Sequence, residues 1–113
     1  MKLPNGDKAI VSDEKLFEYL LNKDHPVGGP HAHLFEHLFG INASNGEELR
    51  SALLNAASVE DTTAGKKSVF GQKYEIRFEM TGKRKKHTVL SVWIVLPGTN
   101  LPHLVTAYVE KKR

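Results

Sequence analysis

At about residue 62 the spacing of apolar side chains changes period, and that change restricts the possible folds more than any other feature of the chain. Before it, apolar residues recur at helical spacing; after it, they alternate with polar ones. Helical patterning followed by strand patterning predicts an α+β domain, with N-terminal helices packed on one face of a twisted antiparallel sheet of three to five strands. The 113 residues, 40% of them apolar, are enough for one such core. Residues 1–113 therefore read as a single domain, with 1–61 mainly helical and 62–113 mainly β.

Within the helical half, Ser12 or Asp13 can cap a short helix to about Asn22, placing Leu16, Phe17, Leu20 and Leu21 on one face. The run DHPVGGP ends it. Pro30 and Gly40 then frame a second helix. Ser44 and Glu47 have capping-box spacing ahead of an apolar stripe of Leu49, Ala52, Leu53 and Ala56. The small and polar residues 58–67 read as a linker.

In the β half, Tyr74, Ile76, Phe78 and Met80 alternate with Glu75, Arg77 and Glu79, TGKRKK supplies a turn, and KHTVLSVWIVL is apolar on both parities. PGTNLP and HLVTAYVEK give a further turn and strand. A fourth strand is weakly signalled near Ser68–Phe70 or Lys8–Val11. Sorting by parity puts Leu90, Val92, Ile94 and Leu96 under the helices, together with Val105, Ala107 and Val109. The uncovered face then carries Arg77, Ser91, Trp93, Thr106 and Tyr108, with His87 or His103 near its edges. Such a face can stack a base and hold a phosphate. Cross-strand pairing of good strand formers accounts for the same residues one by one.

Charge divides along the same boundary: residues 1–61 carry −5 and residues 62–113 carry +8, for a net +3. The basic half suits a polyanion, through Lys83–Lys86 at the turn and Lys111–Arg113 at the end. A solvated turn and tail is the plainer explanation. Without cysteine, thiol nucleophiles, thiolate metal sites and disulfides are excluded. The N-terminal stretch lacks the apolar run of a secretion signal, and no segment approaches the roughly 20 apolar residues of a membrane span, so a soluble chain is expected.

The stretch GGPHAHLFEHLFG holds His31, His33 and His37. On a helix, His31 shares a face with Leu34, Phe35 and Leu38, whereas His33 and His37 lie opposite with Glu36. His33 and His37 have metal-gripping spacing, yet no third ligand follows at motif spacing, so neither a metal nor any other cofactor is expected. Those two read as surface residues. His31 is a candidate for proton transfer, an imidazole having a free pKa of about 6.5, or else a hydrogen-bonded histidine at a helix start.

The order LPNGDKAIVSDEKLFEYLLNKDHPVGGPHAHLF, YEIRFEMTGK, SVWIVLPG and LVTAYV is similar to a bacterial domain family of about this length. That family's pattern includes Leu-Pro-Asn, Leu-Leu-Asn-x-x-His-Pro, Gly-x-Lys-Ala-Arg-x-Phe, and Trp followed by Pro and Thr-x-Tyr. His31, Ala32 and His33 stand at its Lys-Ala-Arg, Thr106 and Tyr108 at its Thr-x-Tyr, and Ser91 two residues before its Trp. Helices ahead of a twisted sheet ending in Thr-x-Tyr also resemble ribonuclease toxins of the barnase, EndoU, colicin and RelE superfamily. Domains of that kind form the C-termini of contact-dependent growth inhibition and other polymorphic toxins.

The resemblance implies a metal-independent ribonuclease that cuts tRNA or other structured RNA by attack of the 2′-hydroxyl, leaving a 2′,3′-cyclic phosphate. A cognate immunity protein would neutralise it, and a host activating protein is a further possible partner. It would act in the bacterial cytoplasm after delivery from a larger secreted or surface-bound toxin. His31 would serve as general acid or base, and Arg77 would stabilise the phosphorane. Thr106, Tyr108 and Ser91 would position the phosphate, Trp93 would stack a base, and His33, Lys85 and Lys86 would add substrate contacts. The alternative is a non-enzymatic module that binds protein or RNA.

Overall fold

The computed structural model describes residues 1–110, so the basic end Lys111–Arg113 lies outside the described residues. A π-helical segment spans Glu14–Leu20, followed by helices α1, Gly29–Phe39, and α2, Glu47–Val59. Four strands follow: β1, Thr63–Ser68; β2, Gly71–Thr81; β3, Lys86–Val95; and β4, Pro102–Val109. They form one antiparallel sheet in the order β1-β2-β3-β4. The expected α+β fold is the fold observed.

Ser12 does cap the first helix, its Oγ accepting from the Lys15 amide at 3.1 Å. The turn is wider than expected, since the Leu21 amide reaches back five residues to Leu16. Leu16, Leu20 and Leu21 all enter the core. The chain then turns tightly into α1. A Cβ at Gly28 would lie 2.0 Å from the Tyr19 carbonyl oxygen, so only glycine lets the helix start this close to the preceding backbone. Gly40, with φ 71, ends α1 as expected. The expected Ser44–Glu47 box is replaced two residues earlier by a reciprocal Asn42–Asn45 box on the 3-10 turn Ala43–Asn45, and Gly46 precedes α2 without a side-chain cap.

The helices bury Phe35, Leu49 and Leu53 against Ile76, Phe78, Val89 and Trp93 of the sheet. Two sequence expectations need correction here. Residues 58–67 are not all linker, because β1 pairs with β2 from Thr63 onward; its six side chains are all exposed, so no alternation reveals it. Of the weak fourth-strand signals, Ser68 closes β1, and the Lys8–Val11 region contributes only an Ile10–His103 bridge on the outer edge of β4.

The second correction concerns the faces of β3. Ile76 pairs with Ser91, Phe78 with Val89 and Tyr74 with Trp93, so the inward face of β2 carries Ser91 and Trp93 inward with it. The aliphatic set Leu90, Val92 and Ile94 lies on the other face, opposite Arg77, Glu75 and Lys73, whose aliphatic stems can cover it. In β4 a bulge at Val105 resets the alternation, so that Leu104 joins Ala107 and Val109 on the covered side.

Candidate functional site

Because β4 is an edge strand, α1 running beside it meets side chains of both parities. Leu34 shares a cavity wall with Val109, while the His31 ring lies 5.2 Å from that of Tyr108, tilted by 42°. Partial burial lowers the His31 pKa, which favours the neutral imidazole.

The lower end of α1 is tied to the β2–β3 turn. The Lys83 amide donates to the Leu38 carbonyl at 2.9 Å, and a Cβ at Gly82 would sit 2.9 Å from that same oxygen and 2.8 Å from the Lys85 carbonyl. Glycine at this position lets the basic turn dock on the helix. His87, at the start of β3, packs edge-on against Phe39 at 5.5 Å.

These contacts make one cleft of three adjoining cavities. The first, about 490 Å³, is walled by His31, His33 and His37. The next, about 320 Å³, shares Leu34 and Val109 with it and adds Lys86 and Glu110. The last, about 480 Å³, lies among His37, Lys83, Arg84, Lys85 and His87. Among the described residues none of the four turn cations forms an ion pair. The wall thus holds four imidazoles and four unpaired cations, a composition suited to anions.

The structure brings together His31, His33, Tyr108, Lys85 and Lys86. It does not bring in the other expected site residues. Trp93 and Ser91 are fully buried, the indole Nε1 donating to Ser91 Oγ at 2.9 Å and that hydroxyl donating to the Ile76 carbonyl at 3.0 Å. Neither has surface to offer a base or a phosphate, which corrects their placement on the uncovered face. Thr106 Oγ1 is engaged at 3.2 Å by the Tyr19 hydroxyl.

Arg77 does lie on the uncovered face, but its Nε donates to both Glu110 oxygens at 3.0 Å, and Glu75 lies at 3.6 Å. Leu90 pairs with both Arg77 and Tyr108, so two strand spacings, roughly 10 Å, separate those two residues.

Of the other wall residues, His37 was read from the sequence as plain surface, while Lys83 and Arg84 were read as turn cations and His87 as an edge residue without being assigned to the site. The helical wheel sets His33 and His37 apart from His31, yet all three reach the same cavity because α1 lies along an edge rather than flat on the sheet. The run KRKKH was the available signal for the others. No group of three metal-ligating side chains converges among the described residues, and no helix there is long and apolar enough to cross a membrane.

The family described as a domain of unknown function (DUF6883) matches residues 2–111, and the chain belongs to that family. No curated protein and no solved structure matches the chain.

Proposed function

We propose that the α1 cleft binds RNA phosphodiesters and that the protein is a metal-independent endoribonuclease. The observation that carries this reading is the junction of a partly buried His31, packed against Tyr108, with a wall of unpaired cations in one continuous cleft. In the proposed reaction His31 takes the 2′-hydroxyl proton, O2′ bonds to the adjacent phosphorus, and the P–O5′ bond breaks. A second imidazole of the cleft returns a proton to the departing 5′-oxygen, leaving a 2′,3′-cyclic phosphate and a 5′-hydroxyl.

Lys83, Arg84 and Lys85 take the charge-stabilising role that the sequence assigned to Arg77, since Glu110 already neutralises that guanidinium. Tyr108, against His31, orients the imidazole or the ribose; His33 and Lys86 extend the contact surface. The resemblance to polymorphic toxins supports tRNA as the target, a cognate immunity protein as the partner, and the cytoplasm of a target bacterium as the place of action.

Incubation of the purified protein with tRNA and rRNA in EDTA tests this reading. Cleavage giving cyclic-phosphate ends is expected, and His31→Ala should slow it by about 10²–10⁴-fold with little change in RNA affinity. Intact RNA bound in the cleft would identify a non-catalytic RNA-binding module instead, a reading favoured by the neutralised Arg77. Growth arrest on induction in a bacterium, relieved by a neighbouring open reading frame, would establish the toxin and its immunity partner.

A further inference from the structure

The β1–β2 hairpin ends in Val69 and Phe70, which are 87% and 73% exposed. They form the two-residue turn between Ser68 and Gly71. An apolar pair at this position is unexpected, because such turns ordinarily carry Asn, Asp or Gly. The turn is nonetheless well braced. The Phe70 amide donates to Ser68 Oγ at 3.1 Å, and Gln72 Nε2 donates to the Gly65 and Lys73 carbonyls at 2.8 and 3.0 Å. Gly71, with φ +135, lies so close to β3 that a Cβ would meet the Val95 carbonyl at 2.3 Å.

Around this tip stand Lys66, Lys67 and Lys73, all exposed and without ion pairs among the described residues. From Thr63 to Lys73 the sequence contains no acid. The tip lies at the opposite end of β2 from the cleft, ten residue steps or roughly 33 Å away.

We infer that the tip is a second RNA contact, in which Phe70 stacks on an unpaired base while Lys66, Lys67 and Lys73 hold the flanking phosphates. This rests on the reading of the cleft as an RNA site. Two apolar side chains fall far short of the roughly 800 Å² per partner of a stable protein interface. A second copy of the chain would bring its own lysines against these. One exposed aromatic ring among free ammonium groups is the arrangement that binds single-stranded nucleic acid. The separation of tip from cleft suits a folded RNA that presents a paired region to one and a loop to the other.

Fluorescence anisotropy with an uncleavable stem–loop RNA, 2′-O-methylated throughout, tests the inference on the whole protein. Phe70→Ala and Phe70→Leu should each weaken binding about tenfold, because leucine keeps the apolar area and loses the ring face. Phe70→Trp should bind at least as well as the wild type. The loss in Phe70→Ala should disappear when the loop positions are abasic.

If Phe70→Ala binds like the wild type while Lys83→Ala/Arg84→Ala/Lys85→Ala loses affinity, the hairpin inference falls and the cleft reading stands. Full retention by Phe70→Leu would replace stacking with a nonspecific apolar contact and overturn it. Wild-type binding to phosphatidylserine vesicles that Phe70→Ala abolishes, with RNA affinity unchanged, would assign the tip to a membrane surface. No RNA binding by the wild type would overturn both readings.

Discussion

Arginine at positions 50 and 77 and the cations at positions 83–86 put similar charges to opposite uses. Arg50 bonds Asp13 and Glu47 and lies over the Phe17 ring, and Arg77 is clamped by Glu110 and Glu75. Each holds elements together: Arg50 ties the first helix to α2, and Arg77 ties β2 to the end of β4. Lys83, Arg84, Lys85 and Lys86 form no ion pair among the described residues, although the backbone of their turn is fixed on α1. A rigidly placed cation without a carboxylate partner repels its neighbours, and an arriving anion relieves that repulsion. The net charge of +3 conceals this distinction, because paired and unpaired cations count alike.

The comparison breaks most visibly in salt dependence. Replacing Lys83, Arg84 and Lys85 together with alanine should weaken RNA binding roughly a hundredfold at low salt and lower the slope of log affinity against log salt by about 3, near one per lost phosphate contact. Arg77→Gln should alter that slope by less than about 1. A titration of RNA affinity between low and physiological salt measures both. Equal losses in the two variants would mean that RNA displaces Glu110 from Arg77, and the division between structural and available cations would not hold.

The turn cations were legible because TGKRKK breaks a clear alternation, and the cleft's principal histidine was legible from its position after GGP. What failed was the assignment of faces. Polarity suggested that an aliphatic set belonged inside and that Ser91 and Trp93 belonged outside, but pairing decides otherwise. Tyr74, Ile76 and Phe78 fix the inward face of β2, and the register carries Trp93, Ser91 and Val89 to the same side. An antiparallel register is a long-range property that one strand's own sequence does not contain. β1 was missed for a different reason: an edge strand exposed on both sides has no hydrophobic period to read.

Ser91 sharpens the comparison at intermediate size. Its hydroxyl links the Trp93 indole to the Ile76 carbonyl inside the core, so Ser91→Ala leaves a buried N–H without its partner. Thermal or urea unfolding should show a loss of about 1–3 kcal/mol, with RNA affinity and cleavage unchanged once the protein is folded. A selective fall in RNA affinity at unchanged stability would return Ser91 to the binding surface and contradict the observed register.

The smallest effect concerns His31, which differs from the turn cations in being arranged to stay neutral. Burial lowers its pKa below the usual 6.5, so as pH falls through that value the unfolded chain takes up its proton before the folded one. The unfolded state then binds more protons, and stability rises with pH across the window from the lowered folded value up to 6.5. Above that window the group contributes nothing to the pH dependence. The wild type should therefore lose stability relative to His31→Gln as pH drops below about 6.5, and the difference should level off once both states are protonated. Tm measured for the two proteins across that range reads the effect directly. The same lowered value places the acid limb of any cleavage profile below 6.5, where protonation removes the base. If acidification instead stabilised the wild type relative to the variant, the folded protein would be holding His31 as a cation. His31 would then belong with Lys83–Lys86 as a phosphate clamp, and the base would have to be sought among His33, His37 and His87.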